Sequence, residues 1–397
     1  MDTPNADSRT LAPLPYHTAV VDYLRRHEPD VWRWASERLS DEEQREALRA
    51  ALLRDTYRID PQAHPEVHAQ LASAMARLGI DAPATLYQSP GQEMNAALLY
   101  VPGEVHILVQ GPLLERMTGP ELLAVFGHEL AHYLLWSRED GILLAAERIL
   151  HDAVASGQAS ASQRETWRRY ALHTEVFADR GGAIAAGDVA PAVSALVKVQ
   201  TGIGTVDAAA YLRQAAEVEA REQGASGAGT HPETFIRARA LALWWEGAPE
   251  CTAWLETRLQ GPLMLEHLDL PGQARLQALT RGFLAHYLHG ADFAGEAVLA
   301  RVRMLFPDWQ ADEPQAGPEQ FGPAAAHDCV RAYLNALMLD LALLDPDTRD
   351  AALLRAGQLA QALGSFDALL LNLRRDADFG KREIDRYKRR LAKESTE

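Results

Sequence analysis

The chain has 397 residues, 47% of them hydrophobic and 24% charged, and its net charge is −16. That length can bury a sizeable core and divide into two domains, while the acidic balance argues against nucleic acid or an anionic membrane surface as a partner. Two cysteines, Cys251 and Cys329, exclude a disulfide framework and an all-cysteine metal site, and point to a reducing compartment.

Met1 to Thr10 is polar and acidic with no apolar stretch behind it, which predicts no secretory signal. No run approaches the roughly 20 apolar residues of a spanning helix, so a soluble, cytoplasmic protein is expected. From Tyr16 to Arg54 apolar residues recur at helical spacing, among them Val20, Val21, Leu24, Trp32, Leu39, Leu48 and Leu52, and predict two or three helices. A further helix is predicted from Pro65 to Leu78, stopped by Gly79. The period then changes to two. Ala84–Gln88, Ala96–Val101 and Val105–Val109 are short β-type runs separated by Ser-Pro-Gly and Pro-Gly-Glu turns. They predict a small antiparallel sheet whose edge strand would hold an extended peptide by main-chain hydrogen bonds.

The next segment carries the chemistry. His128-Glu129-Leu130-Ala131-His132 lies in an apolar run from Leu122 to Trp136. Histidines at i and i+4 share one helical face and can offer two imidazole nitrogens to one Zn²⁺, with Glu129 between them as general base. The helix has a start signal: Thr118 as N-cap, Pro120 in the first turn and Glu121 completing a capping box. The alternative is a buried helix with two hydrogen-bonded core histidines, which would place three polar groups among apolar neighbours without a partner.

A catalytic zinc takes three protein ligands and leaves a fourth position open. The metzincin continuation needs Gly and His three and six residues after His132, where this chain has Leu135 and Arg138. That class is excluded. The best carboxylate is Glu175, one helical turn before Asp179; Glu175 would bind the metal and Asp179 would accept the other ring N–H of a ligating histidine. Glu147 and Asp152 are the rivals, and a solvated helix face is the bland reading of Glu175 and Asp179.

Taken together, Gly127-His-Glu-Leu-Ala-His132, Glu175-Val-Phe-Ala-Asp179, and Thr230-His-Pro232 with Arg237 six residues past His231 resemble the CAAX prenyl endopeptidases and HtpX-type membrane quality-control peptidases. Asn95-Ala96 and Gly111-Pro-Leu-Leu114 are similar to the edge-strand region of that family, so the resemblance covers roughly residues 80 to 245. It implies a zincin-like, gluzincin-type endopeptidase acting on a peptide or protein, with His128, His132 and Glu175 as ligands of one zinc and Glu129 as the base. It also implies that His231 and Arg237 hold substrate or the developing oxyanion, with Asn95 and Asp179 beside the site. Many members carry transmembrane helices, whereas this sequence shows none and resembles a soluble branch. A Gly/Ser-rich stretch, Gly224 to Gly229, precedes His231 and offers a flexible gate.

Gly247-Ala-Pro is a plausible boundary. From Cys251 to Leu391 the pattern is helical, interrupted between Pro307 and Pro323, and the segment from Leu343 to Asp367 faintly resembles TerB-like helical domains. The expected architecture is therefore α+β: a mostly helical metallopeptidase domain with a small antiparallel sheet over 1–247, then an all-helical C-terminal domain over 248–397 that offers a surface to a protein partner. The competing function is a non-proteolytic zinc-containing scaffold, against which the general base Glu129 speaks.

Overall fold

The computed structural model describes residues 10–37, 42–222, 224–227, 229–310, 313–315, 317–323 and 325–394. The expectation for a leader at Met1 to Thr10 lies almost wholly outside these residues, and the Gly/Ser-rich and Pro/Gly-rich stretches fall partly outside them. Contacts divide the chain into two compact units, Met1–Gly261 and Pro262–Glu397.

The first unit begins with α1 (Pro15–His27), α2 (Pro29–Glu37) and α3 (Glu42–Asp55), then β1 (Tyr57–Arg58) and α4 (Pro65–Leu78). α4 ends where the sequence places its stop: Gly79 adopts φ +69°, and the N–H of Ile80 reaches back to the Met75 carbonyl at 2.9 Å. β2 (Ala84–Gln88), β3 (Asn95–Val101) and β4 (Glu104–Gln110) follow, then the short α5 (Leu113–Arg116). β3 and β4 form a hairpin through Pro102 and Gly103, the latter at φ +80°, as a two-residue turn with proline first requires.

The sheet order is β1-β2-β4-β3, and here the expectation of a purely antiparallel sheet is corrected. β2 pairs with β4 in parallel, Ala84 opposite Val105 through Gln88 opposite Val109, while the other two pairings are antiparallel. The hairpin partner of β4 occupies one side of it, so β2 takes the other. β3 is thereby left at the edge of the sheet. Val105, Ile107 and Val109 of β4 are buried in one core with residues of the helices that carry the site.

Those helices are α6 (Gly119–Ser137), α7 (Ile142–Ala155), α8 (Ala161–Ala186), α9 (Val189–Thr201), α10 (Ala208–Arg221), α11 (Thr234–Glu246) and α12 (Cys251–Leu259). α12 packs on α8 and α11. It belongs with the first unit, which therefore extends past Gly247 to Gly261.

Among the described residues the second unit is built of helices, with one isolated bridge: α13 (Leu270–Leu288), α14 (Glu296–Leu305), α15 (Asp328–Ala342), α16 (Arg349–Ala362), α17 (Phe366–Asp376) and α18 (Lys381–Glu394). Phe283, Tyr287, Leu334, Met338, Ala356 and Leu369 form its core. The buried hydroxyls of Tyr287 and Tyr387 donate to the carbonyls of Ala352 and Leu353, at 3.0 and 2.7 Å. Among the described residues no helix is long and apolar enough to cross a membrane.

Candidate active site

α6 presents His128 and His132 on one face, as the four-residue spacing dictates. Its start is the predicted capping box: Glu121 Oε2 accepts from the Thr118 N–H at 2.8 Å and from the Thr118 hydroxyl at 2.9 Å. The same carboxylate is buried and takes the ammonium of Lys198 on α9 at 2.7 Å, with Ser194 donating to its other oxygen. The cap thus anchors α9 as well as starting α6.

α8 crosses α6 at very short range because both helices lack side chains at the crossing. A Cβ on Gly127 would stand 2.7 Å from the Gly181 carbonyl oxygen; one on Gly181 would stand 2.8 Å from that of Gly127; one on Gly182 would stand 2.8 Å from that of Ala124. This seam brings a carboxylate of α8 against the histidines of α6. The sequence reading missed it, although Gly127 and the Gly181-Gly182 pair stand inside the motifs and the pairing of small residues was the available signal.

Three side chains converge there. His128 Nε2 and His132 Nε2 are 3.3 Å apart, Glu175 Oε2 lies 3.6 Å from the first and Glu175 Oε1 lies 3.9 Å from the second. Bond lengths of 2.0–2.2 Å around a tetrahedral zinc put neighbouring ligand atoms about 3.3–3.5 Å apart. The donor types fit a zinc ion, the two histidine nitrogens stand at that spacing, and the Glu175 oxygens lie a few tenths of an ångström wider. The rivals stand elsewhere: Glu147 takes the indole N–H of Trp136, and Asp152 is exposed beside His151.

The surrounding contacts fix the two rings differently. Asp179 Oδ1 faces His128 Nδ1 at 3.1 Å, which leaves Nε2 directed at the cluster. His132 Nδ1 is buried and has no hydrogen-bond partner among the described residues; its ring is held by stacking on Trp136, centroids 5.3 Å apart. Arg237 on α11 is committed to carboxylates, with two hydrogen bonds to Asp179 and an ion pair to Glu175 at 3.1 Å. His231 is exposed at the mouth, its Nε2 3.4 Å from Glu175 Oε1, with its Nδ1 3.0 Å from the Thr230 hydroxyl.

Charge follows this wiring. Burial alone would raise the carboxyls of Glu175 and Asp179, but the Arg237 guanidinium overrides it, holding Glu175 below its ordinary range and Asp179 at about 2. Burial disfavours the imidazolium of His128, yet its hydrogen bond to Asp179 and the neighbouring carboxylates raise it overall. Burial, reinforced by His128, pushes His132 down to about 4. Glu129 is buried and raised by that burial, while the Leu98 backbone N–H and the nearby cations act against the shift.

A cavity of about 380 Å³ opens onto the cluster. One wall is the edge strand β3, from Asn95 to Leu98, and another is apolar, formed by Val125 of α6 and Ala192, Ala195, Leu196 and Val199 of α9. Asn95 is itself exposed at the start of β3.

A buried His-Glu-x-x-His helix, a carboxylate delivered from a second helix and an edge strand along the cleft together define a metallopeptidase type of site. Residues 61–146 match the model of Peptidase family M48. A curated relative, the plastoglobule-localized metallopeptidase 48, chloroplastic, of Arabidopsis thaliana, is 30% identical over 198 residues, covering 45% of this chain and 56% of the relative. The match thus spans just over half of that relative's length. No solved structure matches the chain. Both matches are with peptidases. The family match ends before Glu175, so the places of Glu175, Asp179, His231 and Arg237 rest on the geometry.

Proposed function

We propose that the protein is a zinc-dependent metalloendopeptidase. The observation that supports this most directly is the convergence of His128 Nε2, His132 Nε2 and the Glu175 carboxylate at 3.3 to 3.9 Å beneath an open cavity, with Glu129 beside them on the same helix. His128, His132 and Glu175 would hold a zinc ion, which would supply Lewis acidity toward a scissile carbonyl and toward a water, whose pKa zinc sites of this kind bring to about 7.

The remaining work falls to the protein. Asp179 holds His128 in the tautomer that leaves Nε2 free to ligate, and Arg237 holds Asp179 and Glu175 in place as a positioning residue rather than as a contact to substrate. Glu129 accepts the proton of the attacking water on its carboxylate and returns it to the leaving amine. His231, at the mouth, donates to the oxyanion that develops on the carbonyl. An extended peptide pairs with the outer side of β3, which places a side chain next to the scissile bond against the apolar wall of α9. The second unit is assigned the recruitment of a protein partner, and the cysteine content favours work in a reducing compartment, the cytoplasm.

Glu129→Gln tests this reading because it keeps size and packing. Zinc content and fold are expected to persist while peptide hydrolysis falls about 10²–10⁴-fold, measured by cleavage-site profiling of a peptide library. Undiminished hydrolysis in that variant would remove Glu129 from the mechanism; zinc loading with no cleavage by either protein would favour a scaffold.

A further inference from the structure

A second group of metal-binding side chains belongs wholly to the C-terminal unit. Leu263 and Ala326 pair as an isolated parallel bridge, and the N–H of His327 donates to the Leu263 carbonyl at 3.0 Å. This staple lays the segment before α13 alongside the start of α15. His327 is the N-cap of α15, Cys329 lies in its first turn, and Glu266 comes from the stapled segment.

One donor atom from each of Glu266, His327 and Cys329 lies within 4.8 Å of the other two. His327 Nδ1 stands 3.3 Å from Cys329 Sγ. The N–H of Leu265 donates to that sulfur, also at 3.3 Å, and the Glu266 carboxyl is hydrogen-bonded to it. Zn–S and Zn–N bonds of about 2.3 and 2.0–2.1 Å put sulfur and nitrogen roughly 3.6 Å apart in a tetrahedral site, close to the spacing present. The support is rigid: Cys329 packs onto the small apolar cluster of Leu263, Ala326 and Val330, so two of the three donors ride on the start of a helix.

The donor types narrow the ligand. Carboxylate alone would suit calcium or magnesium, but a thiolate and an imidazole select zinc or a metal of similar softness. We infer that Glu266, His327 and Cys329 form a second transition-metal site, of zinc type, that clips the segment before α13 to the start of α15. On binding, Cys329 gives up its thiol proton to solvent and forms a metal–sulfur bond, with no change of oxidation state.

Sulfur makes the site separable from the cleft, whose donors are nitrogen and oxygen only. The full chain, stripped of metal by chelation, is titrated with Co²⁺ and followed in the near ultraviolet, where thiolate-to-cobalt charge transfer absorbs. The expected result is a charge-transfer band whose full intensity corresponds to one thiolate-bound cobalt per chain, reached by two equivalents because the cleft takes up cobalt without such a band; it disappears in Cys329→Ser and persists in Cys251→Ser, the other cysteine of the chain. Glu266→Ala, at an exposed position, is expected to weaken the cobalt affinity read from this band by at least about tenfold, and it keeps the test alive if Cys329→Ser misfolds. Cobalt binding without a charge-transfer band, a band that survives Cys329→Ser in folded protein, or a Glu266→Ala titration indistinguishable from wild type would overturn the assignment.

Discussion

Arg237 grips Asp179 through two hydrogen bonds, Nε to Oδ2 at 2.8 Å and Nη2 to Oδ1 at 2.6 Å, and the same Oδ1 faces His128 Nδ1 at 3.1 Å. A charge on α11 therefore sets the orientation of the His128 ring on α6, through a carboxylate on α8. Asp179→Asn is expected to lower zinc affinity by about 10–100-fold with the fold intact, read by competition against a chelating dye. Arg237→Met leaves two buried carboxylates without their cation and is expected to destabilise the unit by about 3–5 kcal/mol in urea unfolding. Wild-type affinity in the first variant would break the proposed link between Asp179 and the ring.

Glu175 and its rivals are separated by zinc content. Glu175→Ala is expected to lose the metal of the cleft, whereas Glu147→Ala and Asp152→Ala are expected to retain it, because Glu147 is bonded to Trp136 and Asp152 is exposed next to His151. Metal analysis of the three purified variants decides the matter. Loss of zinc in Asp152→Ala alone would move the third ligand to α7.

The glycine seam should tolerate no addition. At Gly182 the added methyl group would meet the Ala124 carbonyl oxygen at 2.8 Å, and the neighbour is backbone, which cannot swing away. Gly182→Ala is expected to cost about 1–3 kcal/mol and to weaken zinc binding in parallel, since α8 must retreat and carry Glu175 with it. Gly224→Ala, which meets nothing within 4 Å, is the control and is expected to stay within about 0.5 kcal/mol of wild type.

Glu147 gives a pH dependence with a defined sign. Burial pushes its carboxyl up to about 7, against the opposing hydrogen bond from Trp136. In the unfolded chain the group titrates near about 4.3. The folded state therefore binds the proton more tightly, and stability falls as pH rises through that interval. Metal-free wild type is expected to lose up to about 3 kcal/mol relative to Glu147→Gln between about pH 4.5 and 7, the glutamine still accepting the indole N–H. A flat difference between the two urea-unfolding series would refute a buried, protonated Glu147.

Features set by neighbours in the chain were legible in the sequence. The capping box at Thr118 and Glu121, the stop of α4 at Gly79, the hairpin turn at Pro102-Gly103 and the shared face of His128 and His132 all depend on residues within a few positions of one another. For the proposed third ligand the sequence favours Glu175 over Glu147 and Asp152, but it does not show that the crossing of α6 and α8 brings the Glu175 carboxylate to the two histidines. Pairings across long separations were not legible. The parallel register of β2 on β4 depends on which edge the hairpin leaves open, and the bond from Lys198 to Glu121 joins residues whose own surroundings give no sign of each other. Trp136, stacked on His132, read as one more apolar position of a helix.

The donors of the cleft are carried by two helices separated by a third, and neither helix alone holds more than two of them. A growing polypeptide consequently lacks the full set of candidate donors until α8 has been synthesised and has docked against α6. If the chain is a protease, the fold itself would delay the onset of hydrolysis until both helices are in place.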